Sequence, residues 1–302
     1  MTENEFMLQD RISKIQSINE LYDLENNAYV SFSGGKDSTV LHYLIDEALP
    51  GNKIPRVYFN TGIEYLMVVS FVERERERDG RIQIIKTKKN IRNVLQENGY
   101  PFKSKEHSLY LSVFQNSGFT KSVNKYLNRS DSKFACPQKL RYQFTDDFKI
   151  KVSNKCCFEL KKKIGDEWRK DNKKTITITG MRQGEGGLRA SLKGCTVFTD
   201  DKNKGLKKFH PLFPCNEDFV EWYIKERNIK LCELYYPPFN FNRTGCKGCP
   251  YSTDLQKQLD VMEVLLPAEK KQCEMIWKPV YEEYRRLGYR LRSEDYKQLT
   301  LF

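Results

Sequence analysis

Apolar positions along the chain alternate between helical and strand-like spacing, and the alternation predicts an ordered series of elements. Phe6, Ile12, Ile15, Ile18, Leu21 and Tyr22 fall on one helical face within residues 3–25. Tyr29-Val30-Ser31-Phe32 follows as a short β-branched and aromatic run, the pattern of a strand buried on both faces. Val40, Leu41, Leu44, Ile45 and Ala48 return to helical spacing, which Pro50-Gly51-Asn52 closes. Two further strands are expected at residues 56–60 and 82–85, with the charged run 73–79 on the exposed part of a helix between them. Residues 175–179 read Thr-Ile-Thr-Ile-Thr, alternating and β-branched throughout, a further strand. Asn216 is a candidate cap for a helix through Trp222 and Ile224. From 254 to 289 the spacing of Leu255, Leu259, Met262, Leu265, Leu266, Ile276 and Val280 is helical, interrupted by Pro267 and Pro279.

Strands alternating with helices in this order predict an α/β fold with a parallel sheet and right-handed crossovers. Residues 1–252 are expected to form one domain and 253–302 a helical C-terminal extension. Residues 100–150 are less regular and are read as helical, substrate-facing material with loops or, equally, as a mobile basic surface, His107 being an exposed bystander within it. Ligands of open α/β sheets sit beyond the carboxyl ends of the strands. That edge would hold residues 33–39, the turn Asn60-Thr61-Gly62, and the loop from Gly180 to Arg189.

Chemistry concentrates in three of these stretches. Ser33-Gly34-Gly35-Lys36-Asp37-Ser38 joins a strand to a helix N-terminus. The first amides of that helix lack internal partners, the helix dipole is positive there, and glycine allows close backbone approach, so the turn suits an anion. Ser31, Ser33, Ser38 and Thr39 add hydroxyls and Lys36 a charge, whereas the Walker A spacing is absent. A tight turn without ligand is the alternative, here and at Asn60-Thr61-Gly62. In the third stretch Arg182 and Arg189 flank Glu185, and arginine's planar fork suits phosphate or sulfate; an ordinary surface ion pair is the alternative.

Composition narrows the setting. The chain has 302 residues, 39% hydrophobic and 30% charged, and no apolar run nears the roughly 20 residues of a membrane helix. Its N-terminus lacks the basic start and apolar core of a signal peptide. A cytoplasmic protein with no membrane partner is therefore expected, and its nine cysteines then point to metal ligation or catalysis, not disulfides. Cys246-Lys247-Gly248-Cys249 is a C-x-x-C, open to a redox dithiol, half a zinc site or part of an iron–sulfur site. The adjacent Cys156 and Cys157 cannot easily share one tetrahedral zinc but can ligate two irons of one cluster, which favours a 4Fe–4S group. Cys136 is a substitute ligand; Cys195, Cys215, Cys232 and Cys273 are read as structural thiols. The net charge of +12 favours a polyanionic partner.

SGGKDS resembles the PP-loop of the adenine nucleotide α-hydrolase superfamily. The Asn60-Thr61-Gly62 turn, the Gly180 to Arg189 loop and the cysteines make the chain similar to the cluster-bearing branch of the phosphoadenosine phosphosulfate (PAPS) reductase family. The resemblance covers most of residues 27–252 and departs from the family where Gly186 replaces a serine. It implies a Rossmann-like parallel sheet with helices on both faces, followed by a helical, cysteine-bearing C-terminal extension. It implies that Ser31, Ser33, Gly34, Gly35, Lys36, Asp37, Ser38, Thr39, Asn60, Thr61, Gly62, Gly180, Arg182 and Glu185 bind ATP or an adenylyl sulfate, with Mg²⁺. Catalytic roles would fall to Lys36, Asp37, Arg182, Arg189 and Lys161, and cluster ligation to Cys156, Cys157, Cys246 and Cys249.

Reductases of this family carry a nucleophilic cysteine in a C-terminal tail, and no cysteine follows Cys273 here. An enzyme using ATP is therefore expected, similar to sulfur-incorporation enzymes such as the DNA phosphorothioation component. It would couple adenylation or pyrophosphate release to sulfur transfer onto an acceptor, with nucleic acid as a candidate acceptor and a cysteine desulfurase as a candidate sulfur donor. The alternatives are a reductase of adenylyl sulfate or its 3′-phosphorylated form, with Cys273 or an external thiol as nucleophile, and a nucleotide-binding protein with a structural cluster.

Overall fold

A computed structural model describes residues 1–129, 135–185, 192–199 and 205–293. The chain divides into two compact units, one of residues 1–60, 64–86 and 164–244, the other of 61–63, 87–163 and 245–302. Among the described residues, no helix is long and apolar enough to cross a membrane.

The first unit is built on a six-stranded sheet. Its strands are β1 (Ala28–Ser31), β2 (Arg56–Asn60), β3 (Ile82–Lys86), β4 (Ile176–Ile178), β5 (Thr196–Phe198) and β6 (Leu206–Phe209), in the spatial order β3-β2-β1-β4-β6-β5. All pairings are parallel except the edge pair β5–β6. The first three strands run outward from β1 in one direction and β4 lies on its other side. Strand order therefore reverses between β1 and β4, the place where a doubly wound sheet opens a crevice at its carboxyl edge.

Alternation along β1 buries both faces. Val30 joins Ile176 and Ile178 in a core completed by α1 (Glu3–Tyr22), α3 (Lys36–Ala48) and α9 (Glu217–Glu226). Its neighbour Tyr29 packs on the opposite face with Val57 and with Trp168 of α8 (Lys163–Asp171). Each fully buried Val, Leu, Ile or Phe contributes on the order of 1.5–3 kcal/mol. Between them stand the short α2 (Leu24–Asn27) before β1 and α4 (Leu66–Arg78) before β3. The charged run on α4 is not wholly solvent-facing, because Glu75 is buried beside Arg78.

The second unit is mostly helical: α5 (Ile91–Asn98), α6 (Lys105–Ser117), α7 (Lys121–Leu127), α10 (Leu255–Leu265) and α11 (Pro267–Arg286). Pro267 stands in the first turn of α11, where its missing N–H has no partner to lose. Cys156 and Cys157 open a helical run that widens to a π turn at Phe158–Lys162 before α8. His107, expected to be exposed, is instead fully buried. It lies 2.8 Å from both the Tyr126 hydroxyl and the Gln143 side-chain oxygen, and burial lowers its pKa to about 4.

Candidate functional site

The loop after β1 is knitted by its own hydroxyls. Ser33 N–H donates to Ser38 Oγ at 3.2 Å, the two serine hydroxyls lie 2.9 Å apart, and Ser38 and Thr39 both donate to the Gly35 carbonyl. Gly34 takes φ +69°, and a Cβ there would stand 2.7 Å from Val72 Cγ2, so only glycine fits. Gly35 is the N-cap of α3 and carries no side-chain cap; the Tyr235 hydroxyl instead accepts from Lys36 N–H at 2.9 Å. Thr244 reaches the same hydroxyl at 2.9 Å, so two side chains far along the chain close over Gly35.

The loop after β4 lies directly against this turn. A Cβ on Gly180 would meet the Asp37 carbonyl oxygen at 2.7 Å and Ser38 N at 3.2 Å. That approach delivers Arg182, whose Nε pairs with Asp37 at 2.9 Å and whose Nη2 pairs with Glu217 at 2.6 Å. Lys36 Nζ meets the other oxygen of Glu217. Two cations thus converge beside the N-terminus of α3 on the first residue of α9, whose cap is Asn216. Burial would raise the Glu217 pKa, but the Lys36 and Arg182 bonds outweigh it and hold the carboxyl below its usual range. A dipole end, a lysine and an arginine at one point can neutralise several phosphate charges.

Most of the expected nucleotide-binding residues of this unit come together there: Ser33, Gly34, Gly35, Lys36, Asp37, Ser38, Thr39, Gly180 and Arg182. Ser31 ends β1 and Asn60 ends β2, while Thr61 and Gly62 belong to the second unit, Thr61 buried and Gly62 at φ +75° in open space. The backbone of Glu185 closes a short 3-10 turn, Gln183–Glu185. Its side chain and Arg189 lie outside the described residues. Glu217, Tyr235 and Thr244 were not anticipated. Their contacts with Gly35 and Lys36 join positions about 180 to 210 apart, which no local pattern reports.

The second unit gathers the four expected cluster cysteines. Cys156 is pushed up by its bond to Cys157, then by burial and by the Cys157, Cys249 and Cys246 thiols. Cys157 is held low, first by the Cys156 hydrogen bond and then by Lys105, Lys161 and Lys162, against burial. The four thiols thus act on one another, and Lys105, Lys161 and Lys162 add positive charge at Cys157. Among the described residues, however, the ligand atoms found within 4.8 Å of one another belong to His42, Asp46 and Asp79, and no three cysteine sulfurs form such a group. One tetrahedral zinc would draw its thiolates to about 3.8 Å apart, from Zn–S bonds near 2.3 Å. A four-iron cluster takes one thiolate on each iron and spaces them more widely, and four thiols are the donor type and number it would take.

The C-x-x-C loop is held from α11. Trp277 Nε1 donates to the Lys247 carbonyl, the Tyr281 hydroxyl to that of Gly248 and the Tyr284 hydroxyl to that of Pro250. Lys247 forms a buried pair with Glu269 at 3.1 Å. Cys273 packs against Gly248, fully buried, and burial pushes its thiol up to about 12. Cys136, Cys215 and Cys232 are buried as well. At the His42, Asp46 and Asp79 group, guanidiniums already serve the carboxylates: Arg56 and Arg81 each lie 2.7 Å from Asp46, and Arg81 lies 2.8 Å from Asp79. It reads as a partly buried ion network.

A family model described as the phosphoadenosine phosphosulfate reductase domain matches residues 27–252. No curated protein matches the chain. Among solved structures, the chain is similar to a phosphoadenylyl-sulfate reductase from Candida auris in a phosphate complex, at 14% identity and TM-score 0.45, covering 77% of this chain and 87% of that one. It is similar to an FMN adenylyltransferase from Candida glabrata in complex with ATP, at 14% identity and TM-score 0.43, covering 78% and 61%. An NH3-dependent NAD synthetase from Campylobacter jejuni gives 12% identity and TM-score 0.41 over 92% and 95%.

Proposed function

The chain belongs to the phosphoadenosine phosphosulfate reductase domain family, and from that premise we propose an enzyme that binds ATP or an adenylyl nucleotide at residues 33–39. The reaction we assign is release of pyrophosphate from ATP, coupled to sulfur incorporation into an acceptor. The observation that carries the reading is the convergence of Lys36 and Arg182 on one carboxylate beside the N-terminus of α3.

In this reading the nucleotide phosphates take the place of Glu217 as partner of both cations, while the Asp37 pair keeps the Arg182 fork aimed. An acceptor oxygen attacks the α-phosphorus, the bond to the bridging oxygen breaks, and pyrophosphate leaves with the electron pair. Lys36, Arg182 and Arg189 stabilise the charge that develops, and preorganised donors of this kind usually supply the largest catalytic contribution. Mg²⁺, if bound with the nucleotide, would supply further charge neutralisation at the phosphates. Cys156, Cys157, Cys246 and Cys249 would hold the iron–sulfur group, which would supply sulfur or redox capacity, with a sulfur-donor protein such as a cysteine desulfurase upstream. Lys105, Lys161 and Lys162 favour the thiolate of Cys157 among those ligands.

Adenylyl sulfate reduction is the less favoured reading. It needs an accessible thiolate, and the Cys273 thiol is buried with a raised pKa. The test is anaerobic purification with iron and sulfide quantified, followed by product analysis with radiolabelled ATP. Pyrophosphate release that falls at least about 100-fold in Arg182→Ala and Lys36→Ala is expected, the scale of losing a preorganised charge donor. Sulfite release from adenylyl sulfate with a thiol donor would replace this reading with the reductase. Tight nucleotide binding without turnover would leave a binding protein.

A further inference from the structure

The basic excess is not spread over the molecule. Residues 87–163 contain 14 Lys and 3 Arg against 6 Asp and Glu, so this stretch carries +11 of the chain's +12. The sheet unit, which holds the phosphate cradle, contributes none of that excess. A field this lopsided is not needed for a mononucleotide and points to a longer polyanion.

Within the same stretch two cavities adjoin, sharing Gln115 and Asn116 at the end of α6. One, of about 460 Å³, is lined by Lys149, Lys151 and Lys155, all exposed. Lys149 and Lys151 rest their ammonium groups on the backbone carbonyls of Asp146 and Glu97 at 2.7 Å, contacts that orient the charge without cancelling it. Glu97, the acid lining this cavity, is paired through its carboxylate with Lys89. The other cavity, of about 630 Å³, is lined by Phe114, Phe119 and Phe144. Phe119 is 60% exposed, and its ring lies 4.9 Å from that of Phe114. An exposed ring in one cavity and lysines in the cavity that adjoins it are the groups that single strands use, phosphates on cations and bases on aromatic faces.

We propose that residues 87–163 carry a binding surface for single-stranded nucleic acid, with the strand's phosphates on Lys149, Lys151 and Lys155 and a base stacked on Phe119. This builds on the reading above by giving its acceptor a chemical class and a place on the chain. A flat anionic membrane would use the lysines but has no counterpart for the two cavities, and an acidic peptide would leave Phe119 without a stacking partner.

The test is fluorescence anisotropy of the full-length, iron-replete protein with a labelled 12-nucleotide single strand, titrated between 50 and 200 mM salt. Lys149→Gln/Lys151→Gln/Lys155→Gln should weaken binding more than about 10-fold and flatten the log–log salt slope by about 2, since each single-strand phosphate contact contributes about 0.7. Phe119→Ala should weaken binding about 10-fold with the slope unchanged, as loss of one stacked base does. The matched control Lys257→Gln/Lys271→Gln/Lys278→Gln, exposed positions outside this stretch, should change little. The proposal is overturned by no binding at 50 mM salt, by equal losses in the control, by an indifferent Phe119→Ala, or by polyglutamate or anionic vesicles competing as well as the strand. ATP binding is measured on every variant. In the unsubstituted protein, ATP binding without strand binding counts against this surface alone, and strand binding without ATP binding counts against the nucleotide reading alone.

Discussion

Glu217 places one carboxylate between two cations, and neutralising it asks what those cations serve. If Lys36 and Arg182 are held ready for phosphates, Glu217 competes with the ligand. Glu217→Gln should then tighten ATP binding several-fold by calorimetry; weakening would show that the carboxylate positions Arg182. His107 makes a second prediction at this scale. Its folded pKa of about 4 lies below the unfolded value near 6.5. The unfolded chain therefore binds the extra proton, and His107 favours the fold fully above pH 6.5 and loses that contribution as pH falls towards 4. The change is up to about 3 kcal/mol at 1.36 kcal/mol per unit. Urea midpoints should fall between pH 7 and 4.5, and His107→Gln should flatten that slope while lowering stability at pH 7. Sequence gave no warning of this burial. Polar, lysine-rich neighbours made residue 107 look solvent-facing, whereas Phe102 just before it and Tyr126 and Phe144 from later turns of the chain enclose it.

Among the elements, those with a strong local period were legible in advance. The central strands β1, β2, β3 and β4 are β-branched or aromatic runs, and α3 and α9 carry clear apolar faces, so their places followed from spacing alone. The edge pair β5–β6 did not. Its strands are three and four residues long, β6 reads Leu-Lys-Lys-Phe, and the pair joins the sheet only because β6 finds β4, earlier in the chain. The hold of α11 on the C-x-x-C loop was equally hidden, although Trp277, Tyr281 and Tyr284 recur at helical spacing. Three donors on one helix face fix three carbonyls within four residues of loop. Tyr281→Phe and Tyr284→Phe should each cost about 1–3 kcal/mol, because a buried carbonyl loses its partner. Anaerobically prepared variants should also release iron faster to a chelator than wild type. Unchanged release from the double variant would mean that the cysteines hold their spacing without α11.

For the whole molecule, the two units divide the chemistry between them. Lys36, Gly180, Arg182, Glu217, Tyr235 and Thr244 all belong to the sheet unit, and Cys156, Cys157, Cys246 and Cys249 to the helical one. The proposed phosphate cradle is closed by contacts within its own unit: Gly180 against Asp37, Tyr235 against Lys36, Arg182 against Asp37 and Glu217. None of these contacts needs a thiolate or a metal. The division yields an asymmetric expectation. Cys156→Ser/Cys157→Ser should abolish iron retention, since a four-iron cluster needs a ligand on each iron, yet leave ATP affinity within about twofold, a change of less than about 0.5 kcal/mol on the tenfold-per-1.4 scale. Turnover should disappear if sulfur passes through the metal centre and persist if that centre only braces the fold. Iron content, ATP titration and pyrophosphate release on one preparation separate these outcomes. A loss of ATP affinity in step with iron would show that the phosphate cradle depends on the metal-bearing unit, against the self-sufficiency its bonds imply.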